Sequence, residues 1–185
     1  SGANILVALN ASPFDCTKPL QRMSTVVART VETNLPMIYV NMVGGQDELV
    51  YDGASFALNA DGSLASHLKS FDESIQLVKI SLMPEKLHLD GEILSPDEGV
   101  QALYRGVTLG LRDYVRKNGF SGVLLGLSGG IDSALVAALA VDALGSEQVQ
   151  TVMMPSQYTS ETSIVDANLL AKNLNIRLDK ISIVP

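Results

Sequence analysis

The sequence predicts an α/β chain in two parts, a layered first part and a parallel-sheet second part. Three observations carry this. From residue 122 onward, apolar runs of strand length alternate with helix-spaced patterns, which is how βαβ units and a parallel sheet read in sequence. Before residue 84 the order is strand, helix, strand and then hairpin signals, as in an α-β-β-α layered fold. Between the two, residues 84–97 hold two prolines, acidic residues around Gly91 and little periodicity. The expected domains are therefore 1–83 and 98–185, joined by a linker at 84–97.

In the first part, the apolar run at 4–10 predicts a strand. Leu20, Met23, Val27 and Val31 then fall at helix spacing, so 17–34 is expected to be a helix, with Pro36 punctuating its end. Residues 37–43 read as a second buried strand. Asp52-Gly53 and Asp61-Gly62 are turn signals, and 54–60 between them reads as a strand. Residues 75–82 read as another, because Leu77, Lys79 and Ser81 alternate with Val78 and Ile80.

The second part opens with a helix whose face is Val100, Leu103, Tyr104, Val107, Leu111 and Val115 and whose end is Gly119. It continues as strand 122–127, helix 132–144, strand 149–154, helix 161–174 and strand 177–184. Ligands of such sheets sit beyond the carboxyl ends of the strands. Both the loop after residue 126 and the segment at 154–156 lie at such ends, so they are expected to line one crevice.

The loop at 126–133 reads Gly-Leu-Ser-Gly-Gly-Ile-Asp-Ser, between an apolar run and a helical pattern that includes Ile131, Leu135, Val136, Leu139, Ala143 and Leu144. A strand-to-helix bend presents backbone N–H groups to an anion. Two glycines let the backbone come close to it, and Ser128 and Ser133 add hydroxyls. The loop has no lysine, so it is not a Walker A sequence, nor is it Gly-x-Gly-x-x-Gly. Asp132 would repel a phosphate unless a bridging Mg²⁺ stood between them. Its alternative role is to cap the helix, worth about 1 kcal/mol.

This loop resembles the pyrophosphate loop of the ATP pyrophosphatases, which split ATP between the α and β phosphates and adenylate a carbonyl oxygen. Within that group the chain resembles the glutamine-dependent NAD⁺ synthetases. Met-Pro-Ser-Gln-Tyr-Thr-Ser at 154–160 and Asp-Ala-Asn-Leu-Leu-Ala at 166–171 are similar to that family's later segments. In the first half, Asn-Ala-Ser-Pro-Phe at 10–14 and Tyr-Val-Asn-Met-Val-Gly-Gly-Gln-Asp-Glu-Leu at 39–49 look like the nitrilase-type glutaminase domain fused to such synthetases. The implied fold is the C-terminal part of a nitrilase-like layered domain, followed by the first βαβαβ part of an ATP-pyrophosphatase domain. The implied reaction is ATP-dependent amidation of deamido-NAD⁺ to NAD⁺ with ammonia from glutamine, through an adenylate, releasing AMP and pyrophosphate.

The resemblance implies an ATP site made of Gly126, Leu127, Ser128, Gly129, Gly130, Ile131, Asp132 and Ser133, with Asp132 also the Mg²⁺ ligand. Met154 is either an adenine contact or ordinary strand-end punctuation, and Tyr158 either packs or binds. Ser160 reads as a helix N-cap. Ser12 and Lys18 match glutamine contacts of the family, with Lys18 suited to anchor an α-carboxylate. Their alternatives are a turn serine and a solvated lysine. The glutaminase Glu, Lys and Cys are expected before Ser1, so no catalytic residue of that triad is assigned here. Cys16 reads as an incidental loop cysteine. Residues 44–48 are expected to form a site wall or an interface, and His67 and His88 to be surface or linker residues.

A net charge of −7 argues against a nucleic-acid partner. One cysteine excludes an intramolecular disulfide and a thiolate zinc site. The sequence has no apolar run long enough to span a membrane, and no basic stretch precedes an apolar segment at its start, so a cytoplasmic location is expected. Both ends read as cuts through domain interiors. The expectation is an internal fragment of a longer protein, inactive and self-associating alone, whose parent is a homo-oligomer. Its contacts to deamido-NAD⁺ and a second metal ligand would lie beyond Pro185. Two other readings remain: a different ATP-pyrophosphatase amidotransferase, and a nucleotide-binding fragment without turnover.

Overall fold

A four-stranded sheet organises the first half of the chain and a three-stranded parallel sheet the second. The computed structural model describes residues 2–83 and 86–184. The chain divides into two compact units, Ser1–Gly106 and Val107–Pro185.

In the first unit, β1 (Leu6–Asn10) pairs in parallel with β2 (Met37–Asn41), and α1 (Lys18–Thr33) makes the crossover between them. The helix starts because the Asp15 carboxylate accepts the N–H groups of Thr17 (2.7 Å) and Lys18 (3.0 Å). These bonds hold the Asp15 pKa below the usual carboxylate range. Its buried face is Arg22, Val26 and Thr30, four residues apart. The apolar stripe in the sequence lies beside that face, and Leu20 is 78% exposed. Arg22 tolerates burial because Asp52 neutralises it, and Thr30 because its hydroxyl donates to the Val26 carbonyl at 2.9 Å.

The expected strand at 54–60 is shorter: β5 (Phe56–Leu58) pairs antiparallel with β2 and with β6 (Leu64–His67). Residues 44–48, expected to form a site wall or an interface, have a defined local structure. They belong to a hairpin of β3 (Val43–Gln46) and β4 (Leu49–Asp52), with Asp47 at positive φ in the turn. The strand expected at 75–82 begins later, as β7 (Lys79–Met83), and pairs antiparallel with β8 (Lys86–Asp90). Strand β8 lies inside the stretch read as a linker, whose first two residues, Pro84 and Glu85, fall outside the described residues.

His67 corrects a second expectation. It is not a surface residue but is 6% exposed, its ring stacked at 6.2 Å on Phe56. Burial pushes its pKa below 6.5, opposed more weakly by the Leu68 and Leu94 backbone and by the Asp52 carboxylate. His88, in β8, is exposed as expected.

Helix α2 (Gly99–Lys117) contains the division between the units. In the second unit β9 (Val123–Gly126), β10 (Val149–Met153) and β11 (Arg177–Lys180) form the expected parallel sheet; its order is β11-β10-β9, and β11 is shorter than the strand expected at 177–184. Helices α3 (Ile131–Leu144) and α4 (Glu161–Asn173) make the crossovers. The core joins Leu127, Val149 and Met153 to Ala137, Ala140, Ala143, Ala167 and Ala171. The helices thus meet the core through alanines, and Ile131, Leu135 and Val136 stay exposed. Among the described residues, no helix is long and apolar enough to cross a membrane.

Candidate functional site

The carboxyl ends of β9 and β10 lie side by side, with Gly126 in register with Val152. The chain leaves β9 through Leu127, which is 2% exposed and donates its N–H to the Val152 carbonyl at 2.8 Å. That anchor fixes where the exposed bend begins. Ser128 and Ser133 then close it. The Ser128 N–H donates to Ser133 Oγ (3.2 Å), the two hydroxyl oxygens lie 3.0 Å apart, and Ser133 Oγ donates to the Gly130 carbonyl (3.0 Å). Ser128 Oγ accepts the Gly130 N–H at 3.2 Å. The serine hydroxyls therefore brace the bend from within.

Gly129 allows it. Its φ is +82°, and a Cβ built there would lie 2.2 Å from the Ser163 carbonyl oxygen. No L side chain fits that approach. Ser163 lies in the first turn of α4, so the starts of α3 and α4 come together at Gly129. Ser160 caps α4 as expected, its Oγ accepting the Ser163 N–H at 3.1 Å. Gly130 caps α3 in an extended conformation without a side-chain bond.

The first intrahelical bond of α3 is made by the Ala134 N–H to the Gly130 carbonyl at 3.1 Å. The N–H groups of Ile131, Asp132 and Ser133 precede it, at the positive end of the helix dipole. Asp132 is exposed, and its carboxylate has no hydrogen-bond or ion-pair partner among the described residues. It does not serve as the cap of α3. Met154 follows β10 and is 56% exposed. Residues 155–160 turn back toward α4. The Ser156 N–H donates to Thr159 Oγ1 (2.9 Å) and the Tyr158 N–H to Ser156 Oγ (3.2 Å), while Tyr158 stays exposed. The bend, the start of α3 and Met154 all lie at one end of one sheet. Backbone N–H groups there suit an anion, and one free carboxylate suits a hard cation.

The first unit arranges its polar residues differently. The Ser12 N–H donates to Asn41 Oδ1 (2.9 Å), and Asn41 Nδ2 donates to the Ser12 carbonyl (3.2 Å) and to Asp52 Oδ1 (3.3 Å). Arg22 Nη2 donates to both Asp52 oxygens at 2.8 and 3.0 Å, and Arg22 Nη1 to the Gly53 carbonyl at 3.3 Å. This chain of groups holds the Ser12 backbone. Lys18 sits at the first position of α1, and no hydrogen bond among the described residues links its ammonium to the Ser12 hydroxyl. Sequence reasoning missed Asn41, Asp52 and Arg22. The Asp52-Gly53 turn was the one signal that pointed there. Cys16 is exposed.

Comparison with known proteins divides the chain in a similar way. Residues 1–83 match the carbon-nitrogen hydrolase family and residues 103–185 match the NAD synthase family. The chain is 48% identical over 184 residues to the glutamine-dependent NAD(+) synthetase of Rhodobacter capsulatus, covering 99% of this chain and 33% of that protein. It is 44% identical to the glutamine-dependent NAD(+) synthetase of Synechocystis sp., with 100% and 33% covered. The solved structure of glutamine-dependent NAD⁺ synthetase from Acinetobacter baumannii, in complex with ADP, matches at a TM-score of 0.84 and 38% identity, covering 98% of this chain and 34% of that one. The Cytophaga hutchinsonii synthetase, at 20% identity and a TM-score of 0.77, shares the fold. The chain spans about a third of the length of the curated relatives it matches.

Proposed function

We infer that the chain is part of a glutamine-dependent NAD(+) synthetase and that its second half grips ATP for the amidation of deamido-NAD⁺ to NAD⁺. The ammonia comes from glutamine, an adenylate forms, and AMP and pyrophosphate leave. The observation that carries this is the bend at 126–133, where Gly129 lets two helix starts converge and α3 leaves three N–H groups outside its own bonding. The related Acinetobacter baumannii structure, solved with ADP, supports a nucleotide in this fold.

In this reading the N–H groups of Ile131, Asp132 and Ser133 and the α3 dipole take up negative charge on the leaving diphosphate. Gly129 and Gly130 keep side chains out of its path. Gly126 and Leu127 fix the approach, and Met154 covers the base. The residues fit Mg²⁺ on one count, because Asp132 is an exposed, unpaired hard oxygen donor. Among the described residues no cluster of three metal-binding side chains exists. An ion that binds one or two carboxylates, substrate phosphates and water needs no such cluster. When bound, Mg²⁺ would supply charge neutralisation between Asp132 and the phosphates.

In the first half, Ser12 and Lys18 are the proposed glutamine contacts, with the Lys18 ammonium facing the α-carboxylate. The proposed domains remain 1–83 and 98–185, in a cytoplasmic homo-oligomer with no nucleic-acid or membrane partner.

The test is Asp132→Asn in protein expressed from its complete reading frame. Turnover should fall by roughly 10²-fold or more with folding unchanged, and near-normal turnover refutes the metal role. Crystals soaked with ATP and Mg²⁺ should carry density at 126–133. Nucleotide bound elsewhere with the bend empty ends the assignment.

A further inference from the structure

One side chain holds both backbone groups of Ser12. Asn41 Oδ1 accepts the Ser12 N–H at 2.9 Å, and Asn41 Nδ2 donates to the Ser12 carbonyl at 3.2 Å. An amide that pairs with the N–H and the C=O of a single residue acts as a neighbouring strand would, and fixes both peptide planes that flank it. The Ser12 hydroxyl is left over. It sits on a half-buried residue and makes no hydrogen bond among the described residues.

The clamp has a set orientation. Asn41 Nδ2 also donates to Asp52 Oδ1 at 3.3 Å. A carboxylate only accepts, so Asp52 selects the amide orientation that turns the Asn41 oxygen to the Ser12 N–H. Arg22 holds both Asp52 oxygens. Asn41 is 6% exposed, and its own N–H donates to Ser55 Oγ at 2.9 Å. Further along, the Phe14 N–H donates to the Val50 carbonyl at 2.7 Å, and Asp15 accepts the N–H groups of Thr17 and Lys18. The backbone from Ser12 to Lys18 is thus held at its start, middle and end by the fold rather than by a ligand. We propose that Asn41 is a positioning residue for glutamine: by clamping the Ser12 backbone it presents the Ser12 hydroxyl at a set spacing from Lys18. This rests on the reading of Ser12 and Lys18 as glutamine contacts. Without the clamp, ordering this segment is subtracted from the affinity. A contact made equally in the bound substrate and the transition state acts on KM and not on kcat.

The experiment measures glutamine hydrolysis and NAD⁺ formation by protein expressed from its complete reading frame, with glutamine or ammonium chloride as nitrogen source. Asn41→Ala should raise the KM for glutamine about tenfold and change kcat by less than about twofold. Synthesis from ammonium chloride should be unchanged, because free ammonia bypasses the first half. Asn41→Ser, whose shorter side chain still offers Asp52 a donor, is milder to the fold and should raise KM as much. Ser55→Ala removes the acceptor of the Asn41 backbone N–H, so it loosens the same region without removing the clamp. It should lower the melting temperature and leave KM unchanged. Ser12→Ala should raise KM by a similar factor to Asn41→Ala. If Ser12→Ala raises KM and the Asn41 variants do not, the clamp has no part in binding and the proposal falls. An equal rise in Ser55→Ala, or a loss of kcat at constant KM in the Asn41 variants, also overturns it. An unchanged KM in Ser12→Ala takes Ser12 out of the glutamine site, and overturns the underlying reading together with the proposal.

Discussion

The bend at 126–133 and the buried chain Ser12–Asn41–Asp52–Arg22 both fix a loop at the carboxyl end of a strand, by opposite means. The bend uses backbone, small residues and exposed hydroxyls; its polar groups face water and one carboxylate is free. The other uses fully formed charges inside the protein, with the Arg22 and Asp52 side chains 5% and 2% exposed. A loop that must offer N–H groups to a ligand cannot spend them on internal partners. A loop that only has to stay in place can bury its hydrogen bonds. The two constructions should therefore fail differently.

The largest effect is expected at Asp52. Asp52→Ala leaves the Arg22 guanidinium buried without its counter-charge, and should cost about 3–5 kcal/mol of stability in the first unit. The urea midpoint of that unit's transition measures it. Replacing both partners by apolar residues, Arg22→Met with Asp52→Leu, should recover most of the loss, because no charge is then stranded. If the double variant is as unstable as the single, the pair is not what holds this region.

Gly129→Ala sharpens the other side. The alanine would occupy a left-handed conformation and press its Cβ toward the Ser163 carbonyl. The conformational cost of about 1 kcal/mol and the overpacking cost of about 1–3 kcal/mol together give roughly 2–4 kcal/mol. The loss should appear in the second unit's melting, together with weaker nucleotide binding by calorimetry. Gly130→Ala is the control. Its φ is −89°, and the nearest atom to an added Cβ is Ser128 Oγ at 3.4 Å, so its stability should hardly change.

This difference also explains what the sequence disclosed. The bend was legible because β9, the loop and α3 are contiguous, and glycines and serines in that order have few other uses. The parallel sheet was legible from strand and helix alternation. That Gly129 abuts Ser163 was not, because the two are brought together by the packing of α4 rather than by local pattern. The buried chain was hidden for the same reason: its bonds join residues 29, 11 and 30 positions apart. Arg22 and Thr30 on the inner face of α1 look like surface residues in sequence, and the apolar stripe beside them drew attention instead. Strand β6 is short and carries Ser66 and His67, so no alternation marked it as a strand, whereas the five-residue alternation of β8 lay between prolines and acidic residues that read as a linker.

A smaller effect should follow pH. His67 is neutral in the folded first unit because burial depresses its pKa below 6.5. Below that value the unfolded chain takes up a proton that the folded chain refuses. Stability should therefore be fully present above pH 6.5 and fall as the pH drops toward the folded pKa, by at most about 1.4 kcal/mol per pH unit. His67→Phe should flatten this part of the profile in denaturant titrations. A slope unchanged in that variant assigns the pH dependence to other groups.

The smallest effect tests whether the bend depends on its neighbour. Ser160 Oγ accepts the Ser163 N–H and so orders the turn of α4 whose carbonyl lies against Gly129. Ser160→Ala removes that cap and should cost about 1 kcal/mol, with Ser160→Asp restoring it. The functional readout is the more telling one. If the geometry of 126–133 rests on the serine bracing within it, Ser160→Ala lowers the melting temperature and leaves nucleotide affinity nearly unchanged. If the bend is held by contact with α4, affinity falls in step with stability and returns with the aspartate. Leu127 is anchored on β10, and Ser128 and Ser133 close the loop independently of α4. The first outcome is therefore expected, and a matched loss of affinity would move the origin of the site's rigidity from the bend to the packing of two helix starts.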